Sequence, residues 1–78
     1  MLDRKPDANL DLRGIACPTN FVKIKLKLEE MQTAEILEII IDPGEPMANV
    51  PRSIKEDGHK IIKVEKSNDY FCLWVEKC

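Results

Sequence analysis

The sequence predicts an α+β fold, a two-layer α/β sandwich in which a mixed four-stranded sheet carries two helices on one face. Segments with the two-residue alternation of strands and segments with the helical repeat follow one another in the order β-α-β-α-β-β. The 78 residues suffice for one domain. We therefore predict a flexible, polar lead-in at residues 1–8 and a single domain at residues 9–78.

The first strand is short and ends in a turn. Leu10 and Leu12 alternate with Asp11 and Arg13, which is typical of a strand with one buried face. Gly14 follows and marks the turn.

A cysteine followed by a proline marks the start of the first helix, at Cys17 and Pro18. Proline is favoured in a first helical turn because its fixed φ suits the helix and its missing N–H would be unpaired there. Cys17 is then at or beside the N-cap, where the helix dipole and the backbone N–H groups of Thr19 and Asn20 favour a thiolate. A one-unit fall in pKa from about 8.5 raises the thiolate fraction at pH 7 from roughly 3% to roughly 24%. The alternative is a cysteine that merely flanks a helix.

The first helix is predicted from residue 18 to about residue 32. Its apolar residues recur at helical spacing, and two more widen the stripe: Phe21, Ile24, Leu28 and Met31, then Val22 and Leu26. The lysines Lys23, Lys25 and Lys27 form either a solvated face or a recognition surface for an acidic partner.

The remaining elements follow from apolar runs and turn residues. Residues 35–41 are β-branched and apolar, which indicates a buried central strand, and residues 42–46 form a loop. The second helix has Asn49 as N-cap, Pro51 in its first turn and Gly58 at its C-terminal left-handed position. Residues 60–66 and 70–77 alternate and are joined by residues 67–69 as a hairpin.

Alternation assigns side chains to the two faces of the sheet. The face under the helices holds Leu10, Leu12, Leu37, Ile39, Ile41, Ile62, Val64, Phe71, Leu73 and Val75. The opposite face holds Ile36, Glu38, Ile40, Ile61, Tyr70, Cys72, Trp74 and Glu76. This second face is either a partner or dimer surface or a partly covered sheet with scattered apolar groups.

Charge and composition exclude several classes of function. A formal net charge of −2 gives no basis for direct nucleic-acid binding, and no apolar run is long enough for a membrane span. We do not expect the polar N-terminus to be a signal peptide, and three widely spaced cysteines are typical of a reducing, cytoplasmic setting. Without a C-x-x-C unit or a glycine-rich phosphate loop, we expect no metal and no cofactor.

The stretch Leu10-Asp-Leu-Arg-Gly-Ile-Ala-Cys-Pro18 resembles the opening signature of the TusA/SirA family of sulfur carriers. The resemblance continues through Lys25, residues 28–31, Asp42-Pro43, Val50-Pro51 and Gly58-His59. It implies the same β-α-β-α-β-β sandwich and a persulfide on Cys17. It also implies a cysteine desulfurase or rhodanese-like sulfur donor and a protein sulfur acceptor, in roles that include tRNA thiolation, cofactor synthesis, sulfur oxidation and selenium metabolism.

Two positions depart from the family pattern. The family reads Cys-Pro-X-Pro, whereas Asn20 replaces the second proline here and keeps a backbone N–H that could donate to a Cys17 thiolate. Asn49 stands where aspartate is common, which removes a negative charge but preserves helix-capping ability.

The predicted function is therefore a sulfurtransferase-type sulfur carrier, a monomer or weak dimer, rather than an independent multi-step enzyme. Cys17 is the predicted reactive residue, supported by Pro18, Thr19 and Asn20, while Cys72 is expected to be a small apolar residue. Two alternatives stay open: a non-catalytic interaction module that uses the open sheet face, and an accessory protein of selenium or sulfur metabolism. An RNA-binding domain of similar fold is disfavoured by the acidic balance.

Overall fold

The computed structural model describes residues 5–15 and 19–78. Within them, the strands and helices follow the predicted order: β1 (Ala8–Asp11), α1 (Thr19–Glu30), β2 (Ile36–Ile41), α2 (Glu45–Glu56), β3 (Lys60–Lys66) and β4 (Phe71–Glu76). The four strands form one mixed sheet in the order β1-β2-β4-β3. This confirms the predicted α+β fold class.

The sheet has one parallel and two antiparallel pairs. β1 is parallel to β2, and β4 is antiparallel to both β2 and β3. β2 is thus an interior strand, which explains its nearly continuous apolar sequence. Because β1 and β2 are parallel, the loops that lead into α1 and α2 leave from the same edge of the sheet, here called the carboxyl edge.

The core lies between the helices and one face of the sheet. Ile24 and Leu28 of α1 and Val50 and Ile54 of α2 are buried in one cluster with residues of the sheet. The buried sheet and loop members of this cluster are Leu12, Met31, Leu37, Ile39, Ile41, Leu73 and Val75. One continuous core therefore holds both helices on the same face, as predicted. Neither described helix is long and apolar enough to cross a membrane.

Asp7, the residue just before β1, is hydrogen-bonded to the start of β2. Asp7 N–H donates to the carbonyl of Ile36 at 2.7 Å, and Ile36 N–H donates to the Asp7 carboxylate at 2.8 Å. β1 itself begins at Ala8. Residues 1–4 lie outside the described residues, so the flexible lead-in at residues 1–8 stays a prediction.

Two apolar residues of α1 face solvent rather than the core. Val22 and Leu26 are 49% and 57% exposed, so the expectation that they widen the buried stripe is wrong. Each lies two residues from Ile24, which at 100° per residue places it about 160° around the helix from that buried side chain. Helical geometry thus separates these two residues from the stripe.

α2 begins earlier than predicted. Its N-cap is Gly44, with φ of 94°, and a proline, Pro46, occupies its first turn. Asn49 is therefore inside the helix, and Pro51 is an interior proline rather than a first-turn residue. Both corrections have one cause. Pro46 and Pro51 are each compatible with a first helical turn, and the left-handed conformation of Gly44 starts the helix before Pro46.

The predicted end of α2 is confirmed. Gly58 adopts φ of 92°, its N–H donates to Lys55, and His59 N–H donates to Ile54. These two bonds satisfy carbonyls of the last helical turn in the Schellman arrangement, which requires the left-handed conformation that glycine adopts freely.

A bulge in β3 reverses part of the predicted face assignment. Ile61 pairs with Val75 and packs against the core, whereas the register shifts between Ile61 and Lys63. Ile62 is left 45% exposed. Val64 lies opposite Leu73 but is 52% exposed, because β3 is an edge strand. The face predicted for Ile62 from strict alternation is wrong, because the bulge adds one residue to β3 without a partner on β4.

Candidate functional site

The candidate site lies in the connection from β1 to α1. Cys17 and Pro18 lie outside the described residues, together with Ala16. The assignment of Cys17 to the helix N-cap and the role of Pro18 therefore stay predictions. The structure does describe the segments that lead into and out of this stretch.

The segment before Cys17 is fixed to the carboxyl edge. Leu12 is buried, and its N–H extends the sheet by donating to Ile40 at 2.8 Å. The Ile15 N–H donates to the Leu12 carbonyl at 3.2 Å and closes a turn. Gly14, with φ of 80°, donates its N–H to the Asp42 carboxylate at 2.7 Å. Asp42 thus ties the loop before α1 to the loop before α2.

A cationic side chain is also held in this loop. Arg13 donates Nε and Nη2 to the two carboxylate oxygens of Asp11 at 2.9 and 2.7 Å. Its guanidinium lies 5.0 Å from the centre of the Tyr70 ring. The hydrogen bonds from Arg13 lower the pKa of the Asp11 carboxyl. Sequence reasoning missed this pair, although a carboxylate and a guanidinium two residues apart in a strand share one face.

The segment after Cys17 begins α1 with one exposed and one buried residue. Thr19 is exposed, whereas Asn20 is fully buried. The Asn20 side-chain oxygen accepts the N–H of Phe21 at 2.6 Å. Its Nδ2 is buried and has no hydrogen-bond partner among the described residues. Sequence reasoning considered only the backbone of Asn20; the signal for its side chain was its spacing of four from Ile24.

Two of the three predicted recognition lysines lie on the exposed side of α1, and the third is partly covered and paired with a carboxylate. Lys23 and Lys25 are exposed, while Lys27 is half-buried, with its ammonium 3.6 Å from the Glu30 carboxylate. The exposed face of the helix combines these charges with Val22 and Leu26. This surface is both cationic and apolar.

Cys72 lies in a setting that protects its thiol. It is half-buried on the open sheet face, and its Sγ donates to the Glu38 carboxylate at 3.2 Å. Burial, followed by this hydrogen bond and the charge of Glu38, raises the pKa of Cys72 to about 11. Cys72 is therefore a poor nucleophile near neutral pH.

The last candidate side chains form a structural contact. Cys78 is exposed, and its backbone N–H donates to His59 Nδ1 at 3.1 Å. His59 follows the C-terminal glycine of α2 and accepts a backbone N–H, which gives it a structural role at the end of that helix. Across residues 5–15 and 19–78, no cluster of three or more His, Cys, Asp or Glu side chains could hold a metal ion.

Comparison with known proteins gives consistent matches. The profile of the family described as sulfurtransferase TusA matches residues 8–77. A candidate sulfur carrier protein of Archaeoglobus fulgidus is 49% identical over 65 residues, which span 81% of this chain and 74% of that protein. The sulfur carrier protein TusA of Buchnera aphidicola is 26% identical over 68 residues, 87% of this chain and 86% of its own.

A solved structure matches the fold. The crystal structure of a SirA-like protein from Desulfitobacterium hafniense superposes with a TM-score of 0.76 at 18% identity, covering 88% of this chain and 95% of that one. The family match spans all four strands and both helices of the described structure. The chain belongs to the TusA sulfurtransferase family.

Proposed function

We propose that this protein is a sulfur carrier that accepts sulfur as a persulfide on Cys17 and passes it to a partner protein. The observation that carries the proposal is the family match over residues 8–77, which includes the Cys17-Pro18 motif. Relatives of similar length are named sulfur carrier proteins. The raised pKa of Cys72 adds support, because it disfavours that thiol as the carrier.

The transfer is a thiolate exchange in which atoms and electrons balance. The Cys17 thiolate attacks the outer sulfur of a donor persulfide, and its electron pair forms the new S–S bond. The old S–S bond breaks, and its electron pair leaves with the donor cysteine as a thiolate. The outer sulfur keeps its proton or negative charge. An acceptor thiolate then repeats the step on Cys17, so no external oxidant or reductant is consumed.

The donor would be a cysteine desulfurase or a rhodanese-like protein, and the acceptor a second protein thiol, in the cytoplasm. Such partners would contact α1, where Lys23 and Lys25 stand beside exposed Val22 and Leu26. This combination fits a protein surface with acidic groups around an apolar centre. The final product, thiolated tRNA included, would be determined by the acceptor.

The test is sulfur loading followed by intact mass. The wild-type chain is incubated with a cysteine desulfurase and L-cysteine, and we expect a mass gain of one sulfur atom that dithiothreitol removes. Cys17→Ser should lose this gain completely, because serine cannot carry a persulfide. Serine is a good helix N-cap of similar size, so circular dichroism and the urea midpoint should stay near wild type.

Cys72→Ser and Cys78→Ser are the matched controls, since each also removes one thiol. Both should load as the wild type does. Loading retained by folded Cys17→Ser would move the carrier site to another cysteine and contradict the proposal.

A further inference from the structure

We propose that the outer edge of β3 is a self-association surface, on which a second copy of this chain adds its own β3 in antiparallel orientation about Val64. The pairing joins two four-stranded sheets into one continuous sheet. All residues of this surface are described by the structure, and the pairing does not depend on the proposed sulfur-carrier function.

The outer edge of β3 is open and partly apolar. β3 ends the strand order β1-β2-β4-β3, so only one of its two edges pairs with a strand among the described residues. Ile62 and Val64 of this strand are exposed. An edge strand presents unpaired N–H and C=O groups, to which a further strand can be added. β3 therefore offers both backbone hydrogen bonds and apolar contact to a second strand.

The regular part of this edge begins after the bulge. The register between β3 and β4 shifts between Ile61 and Lys63 and then continues without interruption to Lys66. Lys63 and Glu65 lie on the open sheet face, and Val64 lies on the face that carries the helices. A basic and an acidic residue therefore flank Val64 at equal spacing along the strand.

Two-fold symmetry makes this spacing self-complementary. When two identical antiparallel strands pair about a two-fold axis, one residue lies opposite its own copy and the residues on either side pair crosswise. With Val64 at the centre, Lys63 of each copy lies opposite Glu65 of the other, and opposite charges in such positions stabilise a strand pair. Within one copy the Lys63 ammonium lies 3.5 Å from the Glu65 carboxylate, and both side chains are exposed. Pairing thus joins two small ion pairs into one cluster of four alternating charges.

The neighbouring symmetric registers are disfavoured by charge. A pair centred on Lys63 places two lysines opposite each other and brings Lys60 opposite Lys66. A pair centred on Glu65 places two glutamates opposite each other. Like charges in directly opposite positions destabilise a strand pair. The lysines of this edge, a residue type that commonly prevents edge pairing, therefore select one register here.

Pairing through β3 leaves the candidate functional site uncovered. β3 and β1 stand at opposite ends of the strand order, about 14 Å apart across the sheet. Because the two copies are antiparallel about an axis perpendicular to the sheet, their carboxyl edges face in opposite directions. Each copy therefore keeps its connection from β1 to α1 accessible to a partner protein.

The test is sedimentation equilibrium of the full chain at low ionic strength, in a reducing buffer that prevents disulfides. The contact is confined to one strand edge, so we expect a dimer with a dissociation constant of roughly 0.1–1 mM. Lys63→Glu and Glu65→Lys each place like charges opposite each other twice, and each should raise this constant at least about tenfold. A wild-type chain that stays monomeric at concentrations of about 1 mM overturns the proposal.

A mixture of these two single variants tests the register itself. One copy with Lys63→Glu and one with Glu65→Lys present opposite charges at both positions. An equimolar mixture should therefore associate about as strongly as the wild type, although neither variant does so alone. The double variant should regain the wild-type constant for the same reason. If the wild type dimerises and the mixture does not, the copies meet through another register or surface, and the proposal is wrong.

Two exposed valines provide a matched pair for the apolar contact. Val64→Lys places two lysines on the symmetry axis and should abolish the dimer, whereas Val22→Lys on α1 should leave the dissociation constant unaltered. A dimer that survives Val64→Lys contradicts the proposal. Circular dichroism verifies that each variant is folded, since Lys63 lies 4.5 Å from the Trp74 ring and its replacement changes the tryptophan fluorescence directly.

Discussion

The open sheet face and the start of α1 offer a thiol opposite kinds of neighbour, the first observed around Cys72 and the second predicted for Cys17. On the open sheet face, Cys72 donates its thiol proton to the Glu38 carboxylate, which also accepts the Trp74 indole N–H at 3.1 Å. At the start of α1, the predicted N-cap position of Cys17 would be next to the free backbone N–H donors of the first helical turn. A carboxylate favours the neutral thiol and N–H donors favour the thiolate. We therefore expect neighbouring groups, rather than exposure alone, to determine which thiol is reactive.

The size of this difference follows from the pKa of about 11 for Cys72. Such a thiol is ionised to about one part in ten thousand at pH 7, against roughly 3% for an ordinary cysteine. Any lowering of the Cys17 pKa by the helix widens the gap. The sheet face therefore keeps its cysteine protonated where a carrier needs a thiolate.

The largest expected effect is in alkylation rates. With limiting iodoacetamide at pH 7, Cys17 should be labelled at least roughly 20-fold faster than Cys72. The thiolate fractions of the two cysteines differ by more than this. The rate difference is smaller because the Cys72 thiolate is more basic and therefore a better nucleophile. The Cys72 rate should rise about tenfold per pH unit and level off near pH 11. Peptide mass spectrometry follows each site.

Exposed Cys78 is the reference thiol in this experiment. Its labelling rate and that of Cys17 are compared after each is extrapolated to full ionisation of the thiol. A Cys17 pKa at or above that of Cys78 would remove the physical basis for a reactive Cys17. Labelling of Cys72 as fast as Cys17 would contradict the protective role of the sheet face.

A smaller effect is expected from Glu38→Gln. The change removes the negative charge that favours the neutral thiol, so the Cys72 pKa should fall and its labelling at pH 7 should rise several-fold, by roughly 3- to 10-fold. Burial, the largest cause of the raised pKa, persists in the variant. Glu56→Gln, an exposed change on α2, is the control and should leave the rate unaltered. If the labelling rate of Cys72 is unaltered in Glu38→Gln, the raised pKa of Cys72 is due to burial alone.

The smallest expected effect distinguishes the two surfaces as partner sites. Lys23→Gln on α1 should slow sulfur transfer from the cysteine desulfurase about two- to threefold at low ionic strength and less at high salt. Lys63→Gln is the charge-matched control on the sheet face, where Lys63 contacts the Trp74 ring and Glu65. The measurement is the rate of sulfur transfer from the desulfurase at a subsaturating concentration of this protein. A larger effect from Lys63→Gln would favour the open sheet face as the docking surface.

Several parts of the fold were predictable because their causes are local. The spacing of Ile24 and Leu28 predicts the buried stripe of α1, and Gly58 predicts the end of α2, since each depends on residues within one or two helical turns. The hairpin from β3 to β4 was predictable for the same reason. Its turn residues lie together in the sequence, and Ser67 N–H closes it by donating to Tyr70 at 2.8 Å.

Other features depend on groups distant in the sequence. The bulge between Ile61 and Lys63 is a feature of the pairing of β3 with β4. The start of α2 depended on which of two prolines took the first turn. The bond from Gly14 to Asp42 joins loops 28 residues apart. No local pattern contains such information.

The sequence by itself determined the order of elements, the family signature and the candidate cysteine, because periodicity and turn chemistry act over a few residues. Only the tertiary structure decided that Cys72 is bonded to Glu38, 34 residues away, and that Asn20 is buried with an unused donor. Burial and hydrogen-bond partners depend on which segments pack together. The electrostatic surroundings of each thiol are therefore a property of the folded chain.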